Sequence, residues 1–164
     1  MHSEIQFKVR HLAISNVTGT FRKFQGSVTC ENGDFENAAV AVSIEPASID
    51  TNNADRDNHL RSGEFLNLDE FPVMLYEGKL QREGEDYVVN GALTIRGITQ
   101  SVQLQAVFTG TGKGRFGDER AGFEASGKIY RKHFGLSWNM VAEGGGLIIG
   151  EEVKLHFEIQ MIRQ

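Results

Sequence analysis

The densest group of side chains that could do chemistry lies between residues 55 and 61. It contains Asp55, Arg56, Asp57, His59 and Arg61. On a helix, residues three or four positions apart share a face, so His59 would lie beside Asp55 and Arg56. Such a polar group at the mouth of a cavity could hold a head group or a carboxylate. The alternative is a solvated helix with ion pairs worth well under ~1 kcal/mol each, and the residue types alone favour this alternative.

Other motifs of catalytic or cofactor chemistry are weak. An enzyme using His59 and Asp57 would also need a positioned nucleophile, and the chain has no G-x-S-x-G motif. Residues 112–117 match the nucleotide-binding pattern G-x-G-x-x-G, but a polar turn and a strand pattern follow where that motif requires a helix. The five histidines and the single Cys30 lack zinc-ligand spacing. The sequence therefore predicts no cofactor and no metal.

The composition predicts one folded domain over residues 1–164. The chain has 40% hydrophobic and 24% charged residues, the balance of a globular protein. Its formal charge of -5 argues against binding to nucleic acid and to anionic lipid surfaces. No run approaches the roughly 18 apolar residues of a membrane span. The N-terminal residues show no signal-peptide pattern, so we expect a cytoplasmic protein, or a periplasmic one if a leader precedes them.

Alternation of apolar and polar residues is the main pattern along the chain. It is clearest from Val153 to Met161, where every second residue is apolar, as in a strand with one buried face. About eight strands are predicted, at residues 4–10, 17–30, 35–44, 73–80, 87–95, 102–108, 122–130 and 153–161. Gly19 and Gly26 could mark bends in the second of these. Short polar turns predict antiparallel pairing, in a sandwich or in a filled or hollow barrel.

One segment breaks the strand pattern and predicts a short helix. Asn52 or Asn53 would cap it, the helix would run from Ala54 to Ser62, and Gly63 would take the left-handed position after it.

Two motifs in this order carry a family resemblance. They are R-D-x-H-L at residues 56–60 and G-x-L-T-I-x-G at residues 91–97. Supporting segments lie at residues 2–12, 17–21, 24–26, 48–51, 65, 71–72, 102 and 134–136. Together they resemble the YceI-like family of lipid-binding proteins, also called polyisoprenoid-binding proteins.

The resemblance implies a fold and a function. The fold is all-β, a lipocalin-like extended antiparallel β-barrel of about eight strands with a short helix near one end. The function is the non-catalytic binding, storage or transport of an amphipathic long-chain lipid in an apolar channel. A polyprenyl quinone or phenol, another isoprenoid or a fatty amide would be such a lipid. A homodimer is left open, and the family is bacterial, with many periplasmic members.

The inward-facing apolar positions of the predicted strands give the expected channel lining, which is Phe7, Val9, Phe21, Val40, Val42, Leu93, Ile95, Leu104, Phe108 and Phe157. Arg56, Asp57 and His59 complete the predicted site. Arg56 and Asp57 are expected to anchor the helix as a buried pair, and His59 to face the ligand's oxygen. Two rivals remain, a hydrolase or isomerase that acts on a lipid-like substrate through His59 and Asp57, and a scaffold barrel with a filled core.

Overall fold

Ten strands in the described part of the chain form one curled antiparallel sheet. The computed structural model describes residues 3–31 and 33–164. The strands are β1 Glu4–His11, β2 Ser15–Phe21, β3 Phe24–Thr29, β4 Ala39–Ile44, β5 Ile49–Asp50, β6 Met74–Glu83, β7 Asp86–Ile95, β8 Ile98–Lys113, β9 Glu119–Tyr130 and β10 Ile149–Ile162. Their order in the sheet is β3-β4-β6-β7-β8-β9-β10-β1-β2-β5. One helix, α1, spans Ala54–Arg61, and 3₁₀ turns lie at Pro46–Ser48 and Arg131–Phe134.

The connection from β2 to β3 shows that this sheet curls upon itself. The two strands lie near opposite ends of the strand order, yet only Arg22 and Lys23 separate them in the chain. A link this short spans on the order of 10 Å, so the two edges of the sheet must approach each other. The backbone N–H of Arg22 donates to the carbonyl of Ser48, and that of Glu45 donates to the carbonyl of Lys23. The result is a curled half-barrel, called the barrel below.

The predicted all-β fold with one short helix is confirmed. The described residues form ten strands where about eight are predicted, because the segment 17–30 forms two strands and β5 is an additional one. The predicted strand 17–30 is two strands, and its break lies at Arg22–Lys23. Gly19 lies inside the regular part of β2. The predicted strand 35–44 begins only at Ala39, because residues 35–38 form a turn that packs against the barrel.

The helix begins as the sequence predicts and ends differently. The side chain of Asn53 accepts a hydrogen bond from the backbone N–H of Arg56 at 2.9 Å. The expectation for Gly63 is wrong, because Gly63 is absent from the positive-φ residues. Ser62 caps the helix in an extended conformation, and its backbone N–H and its hydroxyl both donate to the carbonyl of His59. No helix in the described residues is long and apolar enough to cross a bilayer.

Side chains fill one half of the barrel interior. The ring of Phe35, from the turn before β4, lies 5.0 Å from the ring of Phe123 and 5.7 Å from that of Phe108. Phe123 also packs against Tyr87 at 5.9 Å. Val89, Leu104 and Ala106 are buried beside this aromatic group. We call the region around these seven residues the filled half.

Candidate binding cavity

The other half of the barrel, beneath α1, contains a cavity of about 520 Å³. This volume lies within the range of about 300–1,000 Å³ that is usual for small-molecule sites. The apolar residues that line it are Ile5, Phe7, Val9, Val17, Phe21, Ile44, Ile49, Leu60, Phe65, Leu66, Met74, Leu93, Ile95, Ile129, Leu136, Trp138, Ile148, Ile149, Val153, Leu155 and Phe157. Polar lining residues are fewer, namely Gln6, Arg10, His11, Thr51, Asp55, Arg56, His59 and Arg131.

Strands β1 and β10 form the longest apolar wall of the cavity. Their register places Ile5 opposite Phe157, Phe7 opposite Leu155, and Val9 opposite Val153. Both members of each pair line the cavity, because residues two apart on a strand point to the same face. The period-two pattern of the sequence thus becomes a continuous apolar surface along the interior.

The ring of Phe7 occupies the space that a side chain at Gly19 would need. A Cβ atom on Gly19 would overlap Cζ of Phe7 and lie 2.6 Å from its Cε1 atom. Gly19 pairs with Phe7 across β1 and β2. A side chain at position 19 would push this ring towards the cavity.

Six of the ten predicted apolar lining residues lie at the cavity: Phe7, Val9, Phe21, Leu93, Ile95 and Phe157. The other four, Val40, Val42, Leu104 and Phe108, do not line it. They occupy the strand segments that run into the filled half, where Leu104 is opposite Val89 and Phe108 is opposite Phe123. Val40 and Val42 are half-buried and pack against the core. The six residues at the cavity and the other four differ in their position along the strands. The period-two pattern predicts which face of the sheet a residue is on, but not this position.

Thr51 links the two charged residues that were expected to pair. Asp57 accepts hydrogen bonds from the backbone N–H of Thr51 at 3.0 Å and from its hydroxyl at 2.5 Å. Arg56 donates from Nε to that hydroxyl at 2.8 Å and from Nη2 to the carbonyl of Thr51 at 2.7 Å. Asp57 is buried and lies outside the cavity lining, whereas Arg56 is exposed and lines it. The expected Arg56–Asp57 pair is therefore an indirect link through Thr51.

His59 lies at the mouth of the cavity among aromatic rings. Its ring centroid is 4.5 Å from that of Trp138 and 5.1 Å from that of Phe65, and both contacts are edge-to-face. Its Nε2 contacts the carboxylate of Glu64. The structure thus gives His59 a different carboxylate partner from the Asp57 of the enzyme hypothesis.

Arg131 is the most deeply buried charged group at the cavity, with 3% of its surface exposed. It donates to four backbone carbonyls, those of Leu136, Trp138, Ile149 and Gly150. Burial lowers the pKa of the guanidinium, and the nearby Glu151 opposes this shift. An arginine nevertheless stays protonated in proteins, so a positive charge lies beside the apolar cavity.

Sequence reasoning missed Trp138, Phe65, Arg131 and Glu64. Trp138 lies in an irregular segment without periodicity, and Arg131 lies in a 3₁₀ turn just after β9. The one available signal was that Trp138 is the only tryptophan of the chain. Within the described residues, no group of three or more His, Cys, Asp or Glu side chains could hold a metal ion.

The curled antiparallel barrel, its short helix and its apolar cavity define a class of lipocalin-like barrels. Comparison with known sequences then identifies the family. The sequence model of the YceI-like domain matches residues 1–161, and the chain belongs to the YceI-like family. Protein YceI of Salmonella newport (strain SL254) is 36% identical over 164 residues, which cover 99% of this chain and 83% of that protein.

Two solved structures share the fold. The crystal structure of a Campylobacter jejuni YCEI protein superimposes with a TM-score of 0.76 at 29% identity, covering 96% of this chain and 91% of that one. A polyisoprenoid binding domain from Saccharophagus degradans, implicated in plant cell wall breakdown, has a TM-score of 0.72 at 16% identity over 99% of this chain and 94% of that one. At 16% identity, the second similarity shows the fold alone.

Proposed function

We propose that this protein binds one amphipathic long-chain lipid in the cavity and stores or carries it without changing it chemically. The observation that carries the proposal is the apolar cavity of about 520 Å³, whose charged lining residues include Arg56 and His59 of α1. The tail of the lipid would lie along β1 and β10, and its head group would lie beside α1. A polyprenyl or fatty chain suits this site, because its tail needs only a continuous apolar surface.

The energetics favour a long tail. Each CH₂ group removed from water contributes up to about 0.8 kcal/mol, so the tail supplies most of the affinity without specific contacts. The lipid classes implied by the family resemblance, namely a polyprenyl quinone or phenol, another isoprenoid or a fatty amide, all have such tails. That a domain of the same fold binds a polyisoprenoid supports this class of tail here.

A bound ligand can be sought directly in the purified protein. We expect organic extraction and mass spectrometry to recover an amphipathic long-chain molecule. Leu155→Gln places a polar group in the cavity wall and should abolish this recovery. Lys154→Gln on the same strand, exposed and absent from the lining, should not.

The same protein, freed of lipid, tests binding and catalysis separately. Trp138 is the single tryptophan and lines the cavity, so its fluorescence reports occupancy. Added lipid should change this fluorescence and be recovered with its mass unchanged. Absence of binding would contradict the proposal. Conversion of the lipid that stops in His59→Ala would support the enzyme alternative instead.

A further inference from the structure

The charged residues at the cavity point to the head group of the ligand, and this step rests on the proposed lipid-binding function. Arg10, Arg56 and Arg131 line the cavity, against one acidic residue, Asp55. The whole chain has the opposite balance, with 17 basic and 22 acidic side chains. The cavity therefore concentrates positive charge in a protein that is negative overall.

Arg131 contributes a charge that its own contacts do not neutralise. Its partners are the four backbone carbonyls described above. They accept hydrogen bonds from four of its five N–H donors, but a carbonyl carries no net charge. The nearby acid, Glu151, is half-exposed and is paired with Lys132. A buried cation in low-dielectric surroundings is stabilised by an anion that comes close to it.

Arg56 contributes free hydrogen-bond donors. Thr51 holds the guanidinium through Nε and Nη2, and Asp57 in turn holds Thr51. Within residues 3–31 and 33–164, Nη1 of Arg56 has no hydrogen-bond partner. A guanidinium held along one edge is pre-organised to bind the oxygens of a carboxylate or phosphate with its other donors.

The two arginines belong to one end of the cavity. Arg131 binds the carbonyl of Trp138 at 2.9 Å, and the indole ring of Trp138 packs against His59. His59 lies three residues after Arg56 on α1, so the two share a helix face. The chain of contacts Arg131–Trp138–His59 thus connects the buried charge to the helix that presents Arg56.

We propose that the site selects a lipid with an anionic oxygen head group, a carboxylate or a phosphate, which binds beside Arg56 and within the field of Arg131. Neutral quinone, phenol and amide heads would use the same apolar cavity but would gain nothing from these charges. The favoured ligands are thus long-chain acids and isoprenyl or alkyl phosphates.

The test compares four ligands with the same tail: palmitic acid, hexadecyl phosphate, hexadecanol and palmitamide. Each is titrated into delipidated protein, with Trp138 fluorescence as the signal. We expect the two anions to bind about tenfold or more tightly than the alcohol and the amide, because charge-assisted hydrogen bonds are stronger than neutral ones. The ratio of palmitate affinity to hexadecanol affinity is the quantity to follow, since it cancels general changes in the cavity.

Three variants localise the effect. Arg56→Gln should lower this ratio several-fold, and Asp55→Asn should raise it, because it removes the acidic residue from the lining. Arg115→Gln removes the same charge from the exposed β8–β9 loop, beyond the filled half, and should leave the ratio unchanged. Circular dichroism of each variant confirms that it is folded.

The outcomes separate this inference from the proposed function. If all four ligands bind with equal affinity, lipid binding stands and the anionic head group is wrong. If the ratio of palmitate to hexadecanol affinity is the same in Arg56→Gln as in Arg115→Gln, the placement of the anionic head group beside Arg56 is wrong. If none of the four binds, the proposed function itself fails. A preference for hexadecyl phosphate over palmitate identifies a phosphate head, and the reverse preference a carboxylate.

Discussion

At the residue scale, Gly19 shows how the shape of the cavity depends on a missing side chain. A Cβ atom there would overlap the ring of Phe7 and lie 2.9 Å from Cγ2 of Thr51. We therefore expect Gly19→Ala to lower the free energy of unfolding by about 1–3 kcal/mol, the usual cost of overpacking. Urea denaturation measures this change.

The matched control is Gly112→Ala in β8, where an added Cβ atom would meet nothing within 4 Å. This substitution should leave stability unchanged or raise it by about 0.4–1 kcal/mol, because alanine restricts the unfolded chain. Equal stability of Gly19→Ala and the wild type would contradict the close contact with Phe7.

Tyr76 is a buried phenol that should make stability depend on alkaline pH. Its hydroxyl donates to the carbonyls of Val102 at 2.9 Å and Val89 at 3.2 Å. Burial raises its pKa from 10.0 to about 12. The unfolded chain then releases this proton at lower pH than the folded chain. The contribution of Tyr76 is complete below the unfolded pKa and is lost as the pH rises towards about 12.

Comparison with Tyr76→Phe isolates this effect from other groups that titrate in the same range. The variant should be less stable than the wild type at neutral pH, because the hydrogen bond that the buried O–H shares between the two carbonyls is lost. The difference between the two proteins should shrink as the pH rises from about 10 to about 12. Urea denaturation at a series of pH values measures it, and a constant difference would show that Tyr76 does not titrate as expected.

At the scale of elements, the attachment of α1 depends on the buried carboxylate of Asp57. Asp57→Ala removes the acceptor for both the backbone N–H and the hydroxyl of Thr51, and Thr51 is itself buried. We expect a loss of about 1.5–3 kcal/mol, the range for hydrogen bonds to a charged group, seen as a lower melting temperature by circular dichroism. Asp55→Ala, two residues earlier on the same helix but exposed, should change stability by about 0.5 kcal/mol or less.

The helix and most strands could be predicted because their signals are local. The Asn53 cap and the alternation of β1 and β10 depend on neighbouring residues only. The break at Arg22–Lys23 could not, because it follows from the curling of the sheet, in which β2 and β3 lie near opposite ends of the strand order. The sequence does interrupt the period-two alternation here, since the apolar residues Phe21 and Phe24 are three positions apart. Gly19 and Gly26, however, were equally good candidates for a bend in the strand.

At the scale of the whole molecule, the boundary between the cavity and the filled half is a long-range property. Phe108 and Phe157 have the same strand pattern, yet only Phe157 lines the cavity. The difference depends on Phe35, whose ring reaches Phe108 and Phe123 from a turn far away in sequence. The side-chain partners of Arg56, Asp57 and His59 likewise required the folded structure, because the hydrogen-bonding Thr51 and Glu64 and the ring of Trp138 come from three different segments.

This division predicts a limit to the length of the bound tail. The cavity extends along β10 from Ile149 to Phe157, about 27 Å of strand, and ends where the filled half begins. For ligands with one head group, affinity should rise up to about fourfold per CH₂ and then reach a plateau when the tail meets the filled half. Trp138 fluorescence titrations of a graded series measure both the slope and the plateau.

Leu155→Trp should move this plateau to shorter tails, because Leu155 lies opposite Phe7 in the middle of the apolar wall and a larger side chain there occupies the path of the tail. The variant adds a second fluorophore, so its titration is followed by displacement of a fluorescent fatty acid. Lys154→Trp adds the same side chain at the exposed neighbouring position and should keep the wild-type plateau. The head group still binds beside α1 in both variants, so short tails should retain similar affinity. Two outcomes would show that the tail does not lie along β10. One is a wild-type affinity that rises with every added CH₂ and reaches no plateau, and the other is a plateau at the same tail length in Leu155→Trp as in the wild type.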